Sequence, residues 1–228
     1  MSAESIPAIE VQNLEFQIRG RRLLHSMSFS VPRGRTFGVV GHNGAGKTTL
    51  FHVLLGLKFP SSGEVRILGV PQLNPESRRG VGYVPERPYL NLDLRFRDFL
   101  KFHAELIGLS GSILSEELAR VADEVGLSQN LNQRFATFSK GMLQKAVLAQ
   151  ASLGNPSVLI LDEPLSGLDP ESRESVKERM KVWKQQGRTL IFSSHALEDV
   201  ELLAEEVLVL KGGVMQFQGE VSEWRSAR

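Results

Sequence analysis

The sequence predicts an α/β fold built on a mostly parallel sheet, and three observations carry that expectation. Short, unbroken apolar runs recur at Phe37-Gly-Val-Val, Val158-Leu-Ile-Leu and Thr189-Leu-Ile-Phe. A strand with one wet face alternates apolar and polar residues, so runs this continuous imply cover on both faces. Segments with helical spacing separate the later runs. The first run also ends at Gly41, where a glycine-rich loop leads into a helix-like stretch.

The elements follow in chain order. Residues Ile9–Ile18 are β-prone, and Met27, Phe29 and Val31 alternate with Ser26, Ser28 and Ser30 as a half-buried strand does. After the glycine loop, residues 48–57 read as a helix closed near Gly56. Val65 with Ile67, and Val81 with Tyr83 running into Pro85, mark two more strands. Residues 94–153 turn helical. There Ser115 reads as the cap of a helix whose Leu118, Val121, Ala122 and Val125 share one face, with Gly126 as its stop. Met142, Ala146, Ala149 and Leu153 repeat the pattern. Beyond the 158–161 strand come a helix over 170–186, the 189–192 strand, a helix around 197–204 and a strand over 207–210. No linker rich in Pro, Ser or Gly flanks the helical block, so residues 87–155 read as an insertion in a single domain spanning 1–228, with a short tail after Gly219.

Composition removes several function classes. Apolar residues at 41% and charged residues at 23% fit an ordinary globular chain. With 27 basic and 26 acidic residues, the net charge of +1 demands no nucleic acid, and none is expected as a partner. The absence of cysteine removes disulfides and thiolate chemistry, and 5 scattered histidines form no ligand cluster. No leader opens the chain and no apolar run is long enough to span a bilayer, so membrane work would need another chain.

The strongest motif is Gly41-His-Asn-Gly-Ala-Gly46-Lys47-Thr48, which matches G-x-x-x-x-G-K-[ST]. Its glycines let successive backbone N–H groups turn inward around phosphate oxygens, and the helix that follows adds its positive end. Candidate nucleotide contacts are therefore Gly41, His42, Asn43, Gly44, Ala45, Gly46, Lys47, Thr48 and Thr49. Lys47 is suited to the β- and γ-phosphates and the Thr48 hydroxyl to Mg²⁺. The second motif, Asp162-Glu163, follows a buried strand at the edge where open α/β sheets bind ligands. Asp162 suits Mg²⁺, while Glu163, pointing the other way, suits an attacking water. A strand ending in a polar turn is the alternative, less attractive beside a phosphate loop. His195, just past another apolar strand, would by itself read as a structural histidine.

Together these residues resemble the ordered motifs of ATP-binding cassette ATPases: the phosphate loop, Leu161-Asp162-Glu163-Pro164, Ser166-Gly167-Leu168-Asp169-Pro170 and Ser194-His195. Phe138-Ser139-Lys140-Gly141-Met142-Leu143-Gln144 is similar to the family signature, usually Leu-Ser-Gly-Gly-Gln. The resemblance runs from about Ile9 to Gly219. It implies a phosphate-loop cassette with a mostly parallel core, an N-terminal antiparallel β part and a helical insertion. It further implies ATP and Mg²⁺ as cofactors, and a head-to-tail dimer, with a second copy or a related chain, in which Ser139 and Gly141 face the ATP of the partner. Glu163 becomes the base or water-orienting residue, His195 a γ-phosphate contact and Asp169 a link between the two sites. Ser139 and Asp169 also read as plain helix caps.

Three departures from the family pattern stand out. Glu86 replaces a usual Gln, and a carboxylate there is a candidate Mg²⁺ ligand. The position of the adenine-stacking aromatic holds Ile18, with Phe16 two residues earlier; either packs on adenine, or Phe16 is core. Lys140 replaces the first signature glycine, a form resembling the subunits of export-type transporters. The resemblance thus implies an ATP-hydrolysing subunit at the cytoplasmic face of a membrane, attached through a separate transmembrane permease. The alternative is a soluble cassette ATPase acting on nucleic acid or ribosomes, whose relatives tend to carry long coiled-coil insertions or two cassettes. This chain shows neither sustained heptads nor a second phosphate loop, and it lacks the Asn-Lys-x-Asp motif of a GTPase.

Overall fold

The computed structural model describes residues 6–226, so most of the opening segment read for a leader lies outside the described residues. Its strands are β1 (Ile9–Ile18), β2 (Arg21–Val31), β3 (Thr36–Val40), β4 (Ser62–Ile67), β5 (Val70–Pro71), β6 (Val81–Val84), β7 (Val158–Leu161), β8 (Thr189–Ser194), β9 (Glu206–Lys211) and β10 (Val214–Glu220). Among the described residues they form two sheets. One is antiparallel in the order β2-β1-β4-β5. The other runs β10-β9-β3-β8-β7-β6, parallel except for the β10 edge.

The apolar runs are continuous because each serves two cores. Leu159 and Leu161 of β7, with Leu190 and Phe192 of β8, face a core shared with the helices. Val158, Ile160 and Ile191 face the other way, into a core shared with the antiparallel sheet and α1 (Lys47–Leu54). The period-two geometry of a strand makes that division, and burial of both faces makes polar residues costly on either.

The helical insertion comprises α2 (Phe96–Leu106), α3 (Gly111–Glu124) and α4 (Lys140–Ala151). The expected start of α3 at Ser115 is corrected: the helix begins at Gly111, and Ser110 precedes it in extended geometry without a side-chain cap bond. Leu114 packs against the core, so the extra turn buries apolar surface that a start at Ser115 would forgo. Leu153 lies beyond the end of α4. The caps at Ser139 and Asp169 do form: Ser139 accepts from Met142 N–H at 3.2 Å, and Asp169 from Ser172 N–H at 2.9 Å. Asp169 opens α5 (Pro170–Gln185), after which come α6 (Leu197–Leu203) and α7 (Val221–Ser226). α7 occupies what the sequence suggested was a mere tail, and β10 before it is a strand the sequence did not announce; Val221 and Trp224 of α7 are buried in the main core.

A buried polar knot ties the insertion to the sheet. Trp183 Nε1 of α5 donates to Glu124 Oε1 of α3 at 2.8 Å, and Arg188 Nη2 reaches the same oxygen at 3.2 Å. Arg188 Nη1 donates to Ser152 Oγ at 2.9 Å.

Candidate functional site

The carboxyl ends of β3, β6, β7 and β8 lie along one edge of the parallel sheet, and each sends a polar segment past that edge. The loop after β3 closes onto α1. Gly41 must be glycine there, because a Cβ would stand 2.5 Å from the Leu210 carbonyl oxygen. Gly46 turns the chain into the helix at φ 110°, a conformation closed to other residues without strain. These two constraints direct the loop over the start of α1. The cleft in front of it, about 670 Å³, is lined by Asn43, Gly44, Ala45, Gly46, Lys47, Thr48 and Thr49, with Glu86, Glu163 and His195. Gly41 and His42 form the base of the loop; their carbonyls accept from Lys47 Nζ at 2.7 and 3.4 Å.

Lys47 is only 6% exposed, and its ammonium also sits 3.1 Å from Glu163 Oε1. The other Glu163 oxygen meets His195 Nδ1 at 2.9 Å. Both carboxylates of the Asp162-Glu163 pair therefore belong to the cleft region, which a regular strand would forbid by sending them to opposite faces. The departure comes from Glu163 itself: its backbone adopts φ 49°, the left-handed region rarely used by a residue with a Cβ.

Asp162 is fully buried. Burial pushes its carboxyl pKa up, against the Ser193 hydrogen bond and the nearby Thr48 side chain, which favour the anion. Ser193 Oγ donates to Asp162 Oδ1 at 2.6 Å. Asp162 Oδ2 is buried and makes no hydrogen bond, with the Thr48 side chain near enough to act on the carboxyl. An orphaned carboxylate oxygen beside a hydroxyl is a hard oxygen donor pair, which fits a small divalent cation such as Mg²⁺. Glu86 lies at the rim, pairs with Arg87 Nε at 3.7 Å and still raises the Asp162 pKa by its charge.

The remaining expected residues are placed differently. Phe16 is core: it is 6% exposed, pairs with Leu24 and joins the core between the sheets. Ile18, at the hairpin tip, is 50% exposed. The reason lies in the pairing, which jumps from Phe16 opposite Leu24 to Gln17 opposite Arg22. Leu23 is the extra residue, and it lines the cleft together with Arg21. Ser139 and Gly141 do not line that cleft; they lie where α4 meets α5, and a Cβ on Gly141 would lie 2.0 Å from Ser172 Oγ.

Sequence reasoning missed Ser193, Tyr83 and the Arg21–Leu23 wall. Tyr83 has a buried hydroxyl without a hydrogen bond, and burial together with Asp162 and Glu86 raises its pKa strongly.

Comparison with known proteins agrees with this architecture. The ABC transporter family profile matches residues 24–166. An uncharacterized ABC transporter ATP-binding protein of Synechocystis is 38% identical over 88% of this chain, which spans 57% of that protein's length. The chain likewise spans 60% of a Nostoc counterpart. The Nod factor export ATP-binding protein I of Ralstonia nicotianae is 31% identical over 96% of this chain and 69% of its own length. Among solved structures, an ATP-binding subunit of an ABC transporter superposes with a TM-score of 0.87 at 32% identity, covering 96% of this chain and 92% of that one. The cbiO1 protein of Clostridium perfringens, part of the ABC transporter complex cbiONQ, gives 0.86 at 25% identity, covering 96% and 91%. With its phosphate loop, strand-end carboxylates and fold all accounted for, the chain belongs to the ABC transporter family of ATP-binding proteins.

Proposed function

We propose that the chain is the ATP-hydrolysing subunit of a membrane transporter, working as one cassette of a pair. The observation that carries the proposal is the Glu163 carboxylate, held between Lys47 and His195 at the mouth of the phosphate loop. The loop N–H groups and Lys47 bind the phosphates, and a phosphate oxygen competes with Glu163 for the Lys47 ammonium. Released from that pair, Glu163 accepts the proton of an attacking water or orients it, while His195 steadies Glu163 and reaches toward the terminal phosphate. Thr48 and Asp162 hold Mg²⁺, which when bound neutralises charge on the phosphate oxygens.

That Ser139 and Gly141 do not line the cleft of their own chain supports a paired arrangement, in which the N-terminus of α4 serves the ATP of the partner. Closure on ATP and reopening after hydrolysis would then move a separate permease. Among the described residues no helix is long and apolar enough to cross a membrane, and the cbiO1 protein of Clostridium perfringens is one part of the ABC transporter complex cbiONQ. In this reading the chain works at the cytoplasmic face of the membrane, attached through that permease. The export direction rests on the Nod factor export relatives and on the Lys140-Gly141-Met142 signature. The test is ATP turnover with Mg²⁺: the wild type hydrolyses ATP, while Glu163→Gln binds it, turns over at least ~100-fold more slowly and accumulates as a dimer. Equal turnover by Glu163→Gln would remove Glu163 from the chemistry.

A further inference from the structure

The unusual backbone of Glu163 needs a cause. β7 ends its pairing with β8 at Leu161 opposite Phe192, and the Asp162 N–H goes to the Val84 carbonyl of β6 at 2.8 Å. The next N–H, that of Glu163, lies beyond the last β7–β8 ladder pair. It finds its acceptor in a side chain: Glu163 N–H donates to Ser193 Oγ at 2.7 Å. An amide can only donate, so the Ser193 hydroxyl must accept there, and its single proton is free only for Asp162 Oδ1. Ser193 is 0% exposed, so water cannot substitute for it in either bond. One hydroxyl thus fixes two consecutive residues, the first through its carboxylate and the second through its backbone.

We propose that Ser193 is the positioning residue that aims the Asp162 carboxylate at the metal and holds the left-handed turn of Glu163. The proposal rests on reading the cleft as an ATP–Mg²⁺ site. With Oδ1 engaged by Ser193, the carboxylate is turned so that its orphaned Oδ2 is the oxygen left for a cation. With the Glu163 N–H engaged, the turn that brings the Glu163 side chain to Lys47 and His195 keeps a buried polar group satisfied. Loss of the hydroxyl frees Asp162 to rotate and leaves the Glu163 N–H without an acceptor. Hydrogen-bond partners of a metal-binding carboxylate are typically worth 10–100-fold in metal affinity.

The test measures binding of ATP with and without Mn²⁺, using a fluorescent ATP analogue, and records the electron spin resonance spectrum of Mn²⁺ on the complex. In the wild type Mn²⁺ tightens nucleotide binding. In Ser193→Ala that gain falls about tenfold and the Mn²⁺ spectrum changes, while metal-free nucleotide affinity stays within about twofold. Ser193→Thr, which keeps the hydroxyl, restores the gain. A gain in Ser193→Ala equal to that of the wild type overturns the proposal. So does a metal-free affinity that falls as far as the metal-dependent one, since that reports general damage. A wild type that binds the nucleotide but ignores Mn²⁺ withdraws the metal reading of the cleft and the role of Ser193 with it.

Discussion

Lys47 Nζ and Glu163 Oε1 stand 3.1 Å apart, with both side chains more than nine-tenths buried. In this arrangement the cation proposed to bind phosphate is already engaged by the carboxylate proposed for the chemistry. Charge-assisted bonds of this kind are worth about 1.5–3 kcal/mol, so Lys47→Ala should weaken ATP binding at least about tenfold in calorimetric titration. Glu163→Gln removes the competitor for the same ammonium, and ATP affinity should rise. An unchanged affinity in Lys47→Ala would contradict the assignment of the loop.

The hairpin tip makes a separate prediction about the base. Ile18 is half exposed where the family places an aromatic ring, and Phe16 is sealed in the core beneath Lys58, whose ammonium lies 5.6 Å from its ring. Stacking on a base is worth about 1–3 kcal/mol. Ile18→Tyr should tighten ATP binding about fivefold or more, whereas Phe16→Leu should lower the unfolding temperature and leave affinity alone. A loss of affinity in Phe16→Leu without loss of stability would return Phe16 to the site.

Glu124 and Arg188 meet across the join between the helical insertion and the sheet, and both are over nine-tenths buried. Removing one member of a buried pair leaves the other charge uncompensated, at about 3–5 kcal/mol. Glu124→Ala should lose that much in urea unfolding, because Arg188, Ser152 and Trp183 all lose their acceptor. Glu178→Ala breaks the exposed pair with Lys181, which solvent screens, and should leave the urea midpoint unchanged.

Acid sensitivity follows from Glu205. Burial pushes its pKa up, but the Thr36 N–H, Lys184 and Arg35 more than offset that and hold it below the usual glutamate value of 4.5. A depressed carboxylate stabilises the fold fully above its unfolded pKa, and the contribution is lost as pH falls through the lower folded value. Stability should therefore drop as the pH goes below about 4.5, and Glu205→Gln should show a shallower drop. The urea midpoint followed against pH checks this, and parallel curves for the two proteins would contradict it.

Much of this was legible in the sequence, for physical reasons that also explain the gaps. The inner strands declared themselves because burial on both faces confines polar residues to their ends and leaves a continuous apolar run between. β10 did not, since Gln216 and Gln218 on an edge strand look like loop, and the six-residue α7 is too short for a period to register. The phosphate loop was visible because its glycines answer to local backbone geometry. Ser193 was invisible, because a small polar residue inside a strand acquires its meaning only from the neighbours that folding brings to it. Arg21 was equally invisible, because only the hairpin register places it at the cleft wall.

The central claim is that this chain drives a membrane transporter. Its most direct test is a pull-down of tagged Glu163→Gln with ATP from detergent-solubilised membranes, with stoichiometric companions identified by mass spectrometry. The account predicts a companion with several membrane-spanning helices, retained only when ATP is present or more strongly then. Recovery confined to the soluble fraction, with ribosomal or DNA-associated companions, would contradict it.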